Sequence, residues 1–464
     1  MGTELLLLLL GVALGAETIE EAALVAVLDD RQPVVQVARA ELARAAGARL
    51  GAAGAFDVKI KGKADSAVAG YYDWSAVEIA AEQQIPGWGA RVGAGYRASD
   101  GPLPVYYAER ETAVQGEIFA SLSVPLLRDG FTDPGRAAIA SAEADLGGAA
   151  ARARALQVEL QREALAAYWG WVAAVAKLRV AEEQAGLAVA RDAAVRARVA
   201  QGDLPPVAVT DNQRALFERQ AEVAAQRQKV QQSAAKLSVY WRGADGAPRT
   251  PALAEAPPRP APPDGAARAA ALMERLPTLL AGRPEIAEID AVIEQIDAEI
   301  RLARAQRLPG LDVVGSAARG LGGGDKALIQ PEVVLGLRLD APAQQRKARG
   351  KLDELEAKRM AVQQKRRLLL DKAAAEAQGA FAAVEGTAAA WALAGQGAEA
   401  AQALAAAERR RFEAGDTDLL TVYLREQAAG KAAGEVAEAL SAWHVALADL
   451  DAALAIAAAP PLQP

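Results

Sequence analysis

The sequence has no cysteine and a single histidine, His444, among its 464 residues. The lack of cysteine excludes disulfides, thiolate metal sites, a cysteine nucleophile and a lipid-modified N-terminal cysteine. With one histidine and no cysteine, we expect neither a histidine-based metal site nor a catalytic triad within one chain. The glycine run 320–324 lacks the Lys-Ser/Thr pair of a phosphate loop, and no carboxylate pair has the apolar surroundings of a tuned acid and base. We therefore expect no enzyme: no catalytic residue, no cofactor and no metal.

Aromatic residues make up only 5% of the chain, and no charge of one sign dominates any long segment. An alanine-rich sequence in which leucine and valine recur at helical spacing favours closely packed helices over a wide globular core. The formal net charge is −7, with acidic and basic residues interspersed along the predicted helices. Nucleic acid is not an expected partner, because binding it needs a clustered basic face.

Long hydrophobic runs are confined to the N-terminus, where leucines fill positions 5–10. This run and the small residues after it predict a signal peptide over residues 1–16, with cleavage after Gly15 or Ala16. No other run approaches the roughly 20 apolar residues of a membrane-spanning helix. A chain of this kind that is integral to a membrane must therefore cross it as a β-barrel.

Two long helical hairpins dominate the pattern. In the segment 411–422, Gly415 supplies a helix end, and Asp416, Thr417 or Asp418 can cap the next helix. A coiled-coil seam follows it, at Val436, Leu440, Trp443, Leu447, Leu450 and Leu454. The segment 198–203, with Gly202 at its turn, repeats this plan and precedes a seam at Leu216, Val223, Val230 and Leu237. The two hairpins indicate an internal duplication.

Short segments of period two lie between the helices. Residues 56–63 alternate strictly, which fits either a barrel strand with lipid on one side and water on the other, or a half-buried strand of a soluble sheet. Residues 117–124, 311–316 and 333–340 are further predicted strands. The side chains expected to line a barrel lumen are Asp57, Lys59, Lys61, Lys63, Arg338 and Asp340.

The region between the first two predicted strands is richer in aromatic residues than the rest of the chain. Such clustering fits the aromatic girdle of a membrane interface, and its members are Tyr71, Tyr72, Trp74, Trp88, Tyr96, Tyr106 and Tyr107. Segments 76–82 and 90–97 also alternate. The sequence leaves open whether they add a hairpin to a barrel or fold over it.

The order of these elements predicts two repeats and a linker. After the signal peptide, the first repeat covers residues 17–242, with strands within about 56–124 and a helical hairpin over about 133–241. A Pro-rich linker, 243–266, separates it from the second repeat, 267–457, with strands at about 311–341 and a hairpin over about 342–457. Residues 458–464 form a C-terminal tail. Four strands per chain are too few to close a barrel, so the chain must oligomerise.

Together these features resemble the TolC-like outer-membrane efflux proteins. The resemblance covers about residues 18–457 and rests on the duplicated order, the strand–proline–helix junctions at Pro125 and Pro342, and the paired turns. It implies a homotrimer that shares a twelve-stranded β-barrel in the outer-membrane lipid and a tunnel-shaped α-barrel in the periplasm. Such a protein is a passive exit duct that docks to a periplasmic adaptor and an inner-membrane pump in a tripartite efflux or type I export system.

The resemblance also assigns roles to particular residues. The turns of the hairpins would meet the adaptor through Val199, Gly202, Asp203, Leu204, Phe412, Gly415, Asp416 and Thr417. Some members close the tunnel with carboxylates six and nine residues beyond the turn glycine. Of the equivalent positions here only Asp211 is acidic, and it is one candidate gate residue. Arg411 is the other, unless it is an ordinary solvated coiled-coil charge.

A second class of protein is also compatible with the long hairpins. A periplasmic coiled-coil adaptor, or a structural protein of an export complex, would carry a similar helical pattern. An adaptor usually has one hairpin set between halves of a lipoyl-like β-domain, whereas this chain has two hairpins and amphipathic strands. A requirement for detergent would separate the two classes.

Overall fold

A computed structural model describes residues 18–28, 31–102, 111–258, 260–323, 325–457 and 462. The predicted signal peptide, Tyr106, Tyr107 and all of the predicted tail except Leu462 lie outside these residues. The chain divides into two compact units. The helical unit comprises the described residues within Met1–Ala40, Arg152–Glu285 and Leu369–Gln463, and the sheet unit comprises those within Glu41–Ala151 and Ile286–Leu368.

Most of the described residues are helical. In chain order the α-helices are α1 Glu21–Ala26, α2 Pro33–Ala53, α3 Pro134–Ala200, α4 Val207–Ser238, α5 Gly265–Glu274, α6 Leu276–Ala281, α7 Pro284–Ala305, α8 Lys326–Ile329, α9 Arg346–Ala414 and α10 Leu419–Ala453. The two longest, α3 and α9, have 67 and 69 residues, and each is followed across a short turn by a returning helix of about half that length. None of the helices within the described ranges combines the length and the apolar character needed to cross a membrane.

The sheet unit contains one antiparallel sheet in which neighbours in sequence are neighbours in space, in the order β1 to β6. Its strands are β1 Lys59–Ser66, β2 Ser75–Gln84, β3 Arg91–Asp100, β4 Glu117–Pro125, β5 Gly310–Gly320 and β6 Glu332–Asp340. Strands β2 and β3 are the segments whose place the sequence left open. Within its described residues the chain therefore has six strands in this sheet, rather than the four on which the sequence-based strand count rested.

The first strand begins later than its alternating pattern predicted. Gly54–Phe56 forms a turn of 3₁₀-helix, and β1 starts at Lys59. The reason is the packing of Phe56, whose buried ring lies 3.2 Å from the position that a Cβ atom on Gly135 would occupy. Phe56 is thus part of the packing at the start of α3. Asp57 consequently lies before the strand, not on its polar side.

The cross-strand register keeps polar and apolar side chains on opposite sides of the sheet. On one side, Lys63 is paired with Glu78, and Glu78 with Arg97. On the other side, Ile79 is paired with Tyr96, and Tyr96 with Ile118. Because side chains alternate along a strand, an unbroken register carries one polar and one apolar face across all six strands.

Helices α7 and α9 pack together within the sheet unit. Their buried contact is made by residues at helical spacing, namely Ile296, Ile300 and Ala303 of α7 with Leu352 and Leu355 of α9. Two arginine–aspartate pairs flank it, Arg359 with Asp297 at 2.6 Å and Arg366 with Asp290 at 2.5 Å.

Two buried clusters of related composition lie among the described residues of the helical unit. In the first, α3 presents Tyr168, Trp171 and Val175 to Val230 and Leu237 of α4. In the second, α9 and α10 contribute alternating apolar positions: Ala377, Phe381, Val384, Leu440, Trp443, Leu447, Leu450 and Leu454. Each hairpin thus packs along the seam that its sequence predicts. The predicted fold class, long coiled-coil hairpins combined with strands in two repeats, is confirmed.

Candidate functional site

The turns at the ends of α3 and α9 have the same backbone geometry. Gly202 and Gly415 adopt positive φ angles of 82° and 86°. The amide of Gly202 donates to the carbonyl oxygen of Val199 at 3.1 Å, and the amide of Asp203 to that of Arg198 at 2.9 Å. At the other turn Gly415 donates to Phe412 at 3.1 Å and Asp416 to Arg411 at 2.8 Å. Both are Schellman caps, and the predicted helix ends at the two glycines are confirmed.

The helices that return from these turns begin differently. Asp418 is the N-cap of α10: its carboxylate accepts from the amide of Thr421 at 2.7 Å, and this hydrogen bond lowers the pKa of Asp418. Of the three capping residues that the sequence allowed, Asp418 is the one used. Helix α4 instead follows Pro205 and Pro206 and has no side-chain cap. Proline suits this position because its missing N–H would have no partner in the first helical turn.

One arginine links the two turns. The guanidinium of Arg198 lies over the ring of Phe412, 5.0 Å from its centroid, and donates to the Phe412 carbonyl oxygen at 3.2 Å. The ring of Phe412 is buried, with 8% of its surface exposed. Phe412 was predicted as an adaptor contact, but within the chain it joins the two turns. The other predicted contacts lie where the sequence placed them: Gly202, Asp203, Gly415 and Asp416 are exposed, and Val199, Leu204 and Thr417 are half-buried.

A buried charge cluster lies behind the turns, and the sequence analysis did not single it out. Glu426 of α10 is 3% exposed and accepts from Arg191 of α3 and from Arg409 of α9, the latter at 3.3 Å. The cluster therefore ties both long helices to α10. A signal for it was present, because Glu426 stands four residues after buried Val422, on a stripe that is otherwise apolar.

The two candidate gate residues are not brought together. Arg411 donates to Glu408 at 3.2 Å and to the carbonyl oxygen of Asp416 at 3.2 Å, so it stabilises its own helix end. Asp211 is exposed on α4 and lines a cavity of about 230 Å³ with Arg191, Asn212, Leu420 and Tyr423. Asp211 therefore remains available to contact another chain, whereas Arg411 already has partners.

A larger groove extends along α3, α4 and α10. Its volume is about 790 Å³, and its lining mixes apolar side chains with charged ones, which include Lys177, Glu218, Glu222, Lys229, Lys431 and Glu438. Helices α3 and α10 approach closely at Gly430, where a Cβ atom would lie 3.1 Å from the side chain of Gln184. The groove thus gives the hairpins a surface of mixed apolar and charged character behind the turns.

The polar face of the sheet carries paired charges. Lys61 binds Glu82, Lys63 lies 2.7 Å from Asp65, and Arg97 binds Glu117. Of the other residues predicted to line a lumen, Lys59 shares the side of Lys61 in β1. Arg338 is paired in register with Asp312, and Asp340 accepts from Arg128 at 2.7 Å.

Two glycines on this polar face make room for an aromatic side chain. A Cβ atom on Gly95 would lie 2.7 Å from the ring of Phe119, and the guanidinium of Arg97 lies over that ring, 5.1 Å from its centroid. Gly93 is similarly close to the hydroxyl of Ser121. Sequence reasoning missed this cluster because its members are neighbours only across the sheet.

The opposite face of the sheet is apolar and open. Its exposed side chains come from β1, β2, β3, β4 and β6: Ile60, Val77, Ile79, Tyr96, Ile118, Leu122, Val333, Leu335, Leu337 and Leu339. Soluble monomers rarely expose a continuous apolar surface of this kind. The described residues contain no group of three or more His, Asp or Glu side chains placed to hold a metal ion.

Comparison with known proteins identifies the fold. No protein-family model matches the chain, and no curated protein matches it. Among solved structures, it is similar to the outer-membrane channel OprN, with a TM-score of 0.65 and 19% identity over 94% of this chain and 89% of that one. It is also similar to the outer membrane protein VceC of Vibrio cholerae, with a TM-score of 0.63 and 16% identity over 94% and 96% of the two chains.

A third similar structure is the open state of the MtrE outer membrane channel of Neisseria gonorrhoeae, with a TM-score of 0.61 and 16% identity over 94% and 88% of the chains. These proteins share their architecture with this chain over nearly its full length, at identities too low to carry more than the fold. The chain therefore has the fold of outer-membrane channels, and the resemblance to TolC-like proteins is confirmed at that level.

Proposed function

We propose that this protein is the outer-membrane exit duct of a tripartite efflux or type I export system. It would act as a homotrimer, with the sheet in the outer membrane and the helical hairpins in the periplasm. The observation that carries the proposal is the combination, in one chain, of a two-faced antiparallel sheet with two helical hairpins that end in matched turns. OprN and MtrE, which share the fold, are outer-membrane channels.

The apolar face of the sheet supports contact with lipid. Leu335, Leu337 and Leu339 of β6 are 70–78% exposed, and the neighbouring strands continue their surface. Strands β2 to β6, with 9 to 11 residues, have the length that a tilted strand needs to cross the hydrocarbon layer, and β1, with 8, is slightly shorter. The paired charges on the opposite face would line a water-filled lumen.

The edges of the sheet support oligomerisation. Within the described residues, β1 and β6 each have a neighbour on one side only. Unpaired edges cannot remain in hydrocarbon, because their amide and carbonyl groups would lack hydrogen-bond partners. Other copies of the chain are the partners that satisfy both edges, and a trimer is the assembly that the resemblance implies.

The hairpin turns support docking to a periplasmic adaptor, which would connect the duct to an inner-membrane pump. Gly202, Asp203, Gly415 and Asp416 present exposed backbone and carboxylates at two equivalent positions. The contacts around Arg198, Glu426 and Arg409 hold the two hairpins together, so an adaptor that displaced them would let the turns separate. Transport would be passive, and Asp211 would contribute to the gate by facing its copies in the trimer.

The alternative is a soluble adaptor or structural protein of an export complex. The exposed apolar face of the sheet disfavours this alternative, because a soluble protein would need to cover that surface. The discriminating experiment expresses the full chain in a Gram-negative host, separates the membranes and measures the mass of the extracted protein by light scattering. An outer-membrane protein that requires detergent and has three times the mass of the mature chain supports the duct. A water-soluble monomer would overturn it in favour of the adaptor.

A further inference from the structure

The hairpin β2–β3 is the feature that the resemblance does not account for. A twelve-stranded barrel shared by three chains uses four strands from each, whereas this sheet has six. We infer that β2 and β3 are part of the membrane wall, so that three copies of this chain close an eighteen-stranded barrel with a wider exit lumen. This inference rests on the proposed function, because it assumes a trimer in the outer membrane.

The hairpin lies between β1 and β4 within the sheet. All eight residues of β1 are paired with β2, and all ten residues of β2 with β3. Strand β3 in turn pairs with β4 through seven residues, Arg91 to Arg97. The hairpin therefore keeps β1 and β4 apart in the sheet. A hairpin folded over the barrel would leave β1 and β4 as neighbours.

The hairpin also spans the same height as the neighbouring strands. Its inner turn, residues 85–90, is fixed beside the start of α3: a Cβ atom on Gly89 would lie 2.3 Å from the carbonyl oxygen of Asp129. Arg136 of α3 donates to that same oxygen at 2.6 Å. The hairpin therefore begins at the helix-bearing end of the sheet, where β1 starts and β4 ends. With ten residues in each strand, it extends as far as they do.

The two faces of the hairpin match those of the neighbouring strands in chemistry. Val77 and Ile79 lie on the same side as the apolar residues of the neighbouring strands, and each is just over half exposed. Glu78 and Glu82 lie on the side of Lys61 and Lys63, and Glu82 binds Lys61. A hairpin that covered the barrel as a lid in water would not be expected to continue the lipid-facing apolar surface of the neighbouring strands in register.

Aromatic residues lie at both ends of β2. Tyr71, Tyr72 and Trp74 occupy the outer turn before the strand, and Trp88 occupies the inner turn after it. Tyr71 is 94% exposed and Trp88 is 72% exposed. Transmembrane strands are bounded in this way by aromatic residues at the two membrane interfaces. The predicted girdle thus brackets β2 itself.

The consequence concerns the width of the exit. Barrel diameter grows roughly linearly with strand number, so eighteen strands give a lumen about 1.5 times as wide as twelve. An even number of strands also lets β1 of one chain pair antiparallel with β6 of the next, since the two edges run in opposite directions. Selection of cargo by size would then fall to the hairpin turns rather than to the barrel.

The test uses the absence of cysteine, which makes single engineered thiols unambiguous. Adjacent residues on opposite faces of β2, Glu78→Cys and Ile79→Cys, are compared with a matched pair on β6, Arg338→Cys and Leu337→Cys. Each full-length variant is reconstituted in liposomes and treated with a charged, membrane-impermeant maleimide. Thiols that face lipid should react at least about tenfold more slowly, since the reagent cannot enter the hydrocarbon layer.

The inference expects the same contrast in both pairs. A contrast on β6 with equal labelling of the two β2 thiols would overturn the eighteen-stranded wall and leave the exit duct intact. Equal labelling on β6 as well would overturn the proposed function itself. A strand count by electron cryo-microscopy of the wild-type trimer in nanodiscs is independent of any substitution: eighteen strands agree with the inference, and twelve contradict it.

Discussion

Arg198, at the end of α3, holds the ring of Phe412 at the end of α9 by stacking over it and by a hydrogen bond to its carbonyl oxygen. The two residues belong to different hairpins, so this contact joins the two turns that the proposed adaptor must separate or recognise. It is also specific to arginine, because a planar guanidinium can stack and donate at the same time.

We expect Arg198→Ala to loosen the two turns. The substitution removes a cation–π contact and a hydrogen bond, together worth about 1–2 kcal/mol. Longer open times in single-channel recordings are the expected result. Arg227→Ala is the matched control, because Arg227 forms an exposed ion pair with Glu182 on the same unit. Equal gating of the two variants would show that the contact does not restrain the turns.

Replacing glycine by alanine should have opposite effects on stability at the two Schellman caps and in the interior of a helix. Gly202→Ala and Gly415→Ala meet no atom within 4 Å, so their cost comes from the positive φ alone, about 1–2 kcal/mol each. Gly397→Ala, in the interior of α9 and equally free of neighbours, should stabilise the protein by about 0.5–1 kcal/mol. Thermal unfolding followed by circular dichroism measures whether each variant is more or less stable than the wild type. A stabilising effect of Gly415→Ala would rule out the left-handed cap.

Glu426→Gln should be the most damaging of the conservative changes at the hairpins. It leaves Arg191 and Arg409 beside an uncharged group in a buried setting, and breaking a buried ion pair typically costs about 3–5 kcal/mol. The control is Glu435→Gln, which removes an exposed pair with Lys431 and should cost under about 0.5 kcal/mol. Chemical unfolding measures the free energy of unfolding of both variants. Equal losses of this free energy would show that the buried charge cluster does not hold the hairpins together.

His444 predicts a loss of stability in weak acid. Its ring stacks on Trp169 at 3.4 Å, its Nε2 lies 3.1 Å from the carbonyl oxygen of Ala261, and burial lowers its pKa from 6.5 to about 4. The unfolded chain binds the proton first as pH falls, so stability is lost between about pH 6.5 and 4 and is unaffected above that window.

Glu21 is the ionisable group facing this ring, 3.8 Å from Nδ1, and its own pKa is raised by burial. The comparison of wild type with His444→Gln therefore isolates the histidine, because Glu21 is present in both. The melting temperature of the wild type should fall relative to that of His444→Gln between pH 7 and pH 5. The difference between the two should be constant from pH 7 to pH 8. A difference independent of pH would show that His444 is not buried in its neutral form.

Much of the fold could be predicted from the sequence because its elements are repetitive. The heptad seams place Leu440 and Leu447 in the core, and glycine marks each helix end. The extra hairpin stayed undecided since its polar side alternates glycine with charge at Gly93, Gly95 and Arg97. That pattern makes sense only once Phe119 lies across Gly95.

The candidate site was predictable where it depends on local backbone and not where it depends on contacts between hairpins. The turns at Gly202 and Gly415 follow from residue type. The burial of Phe412 and the partners of Glu426 depend on how α3 packs against α9 and α10, which no spacing within one helix encodes. The Pro-rich linker likewise packs in place, because Arg179 donates to the carbonyl oxygens of Ala256 and Pro257.

The central claim, a gated channel, is tested most directly by single-channel conductance of the detergent-extracted protein in a planar bilayer. The account predicts discrete conductance steps from trimer-sized particles, with a higher open probability in the double variant Arg198→Ala, Glu426→Gln. Protein that inserts stably and gives no ion conductance in either form would contradict it.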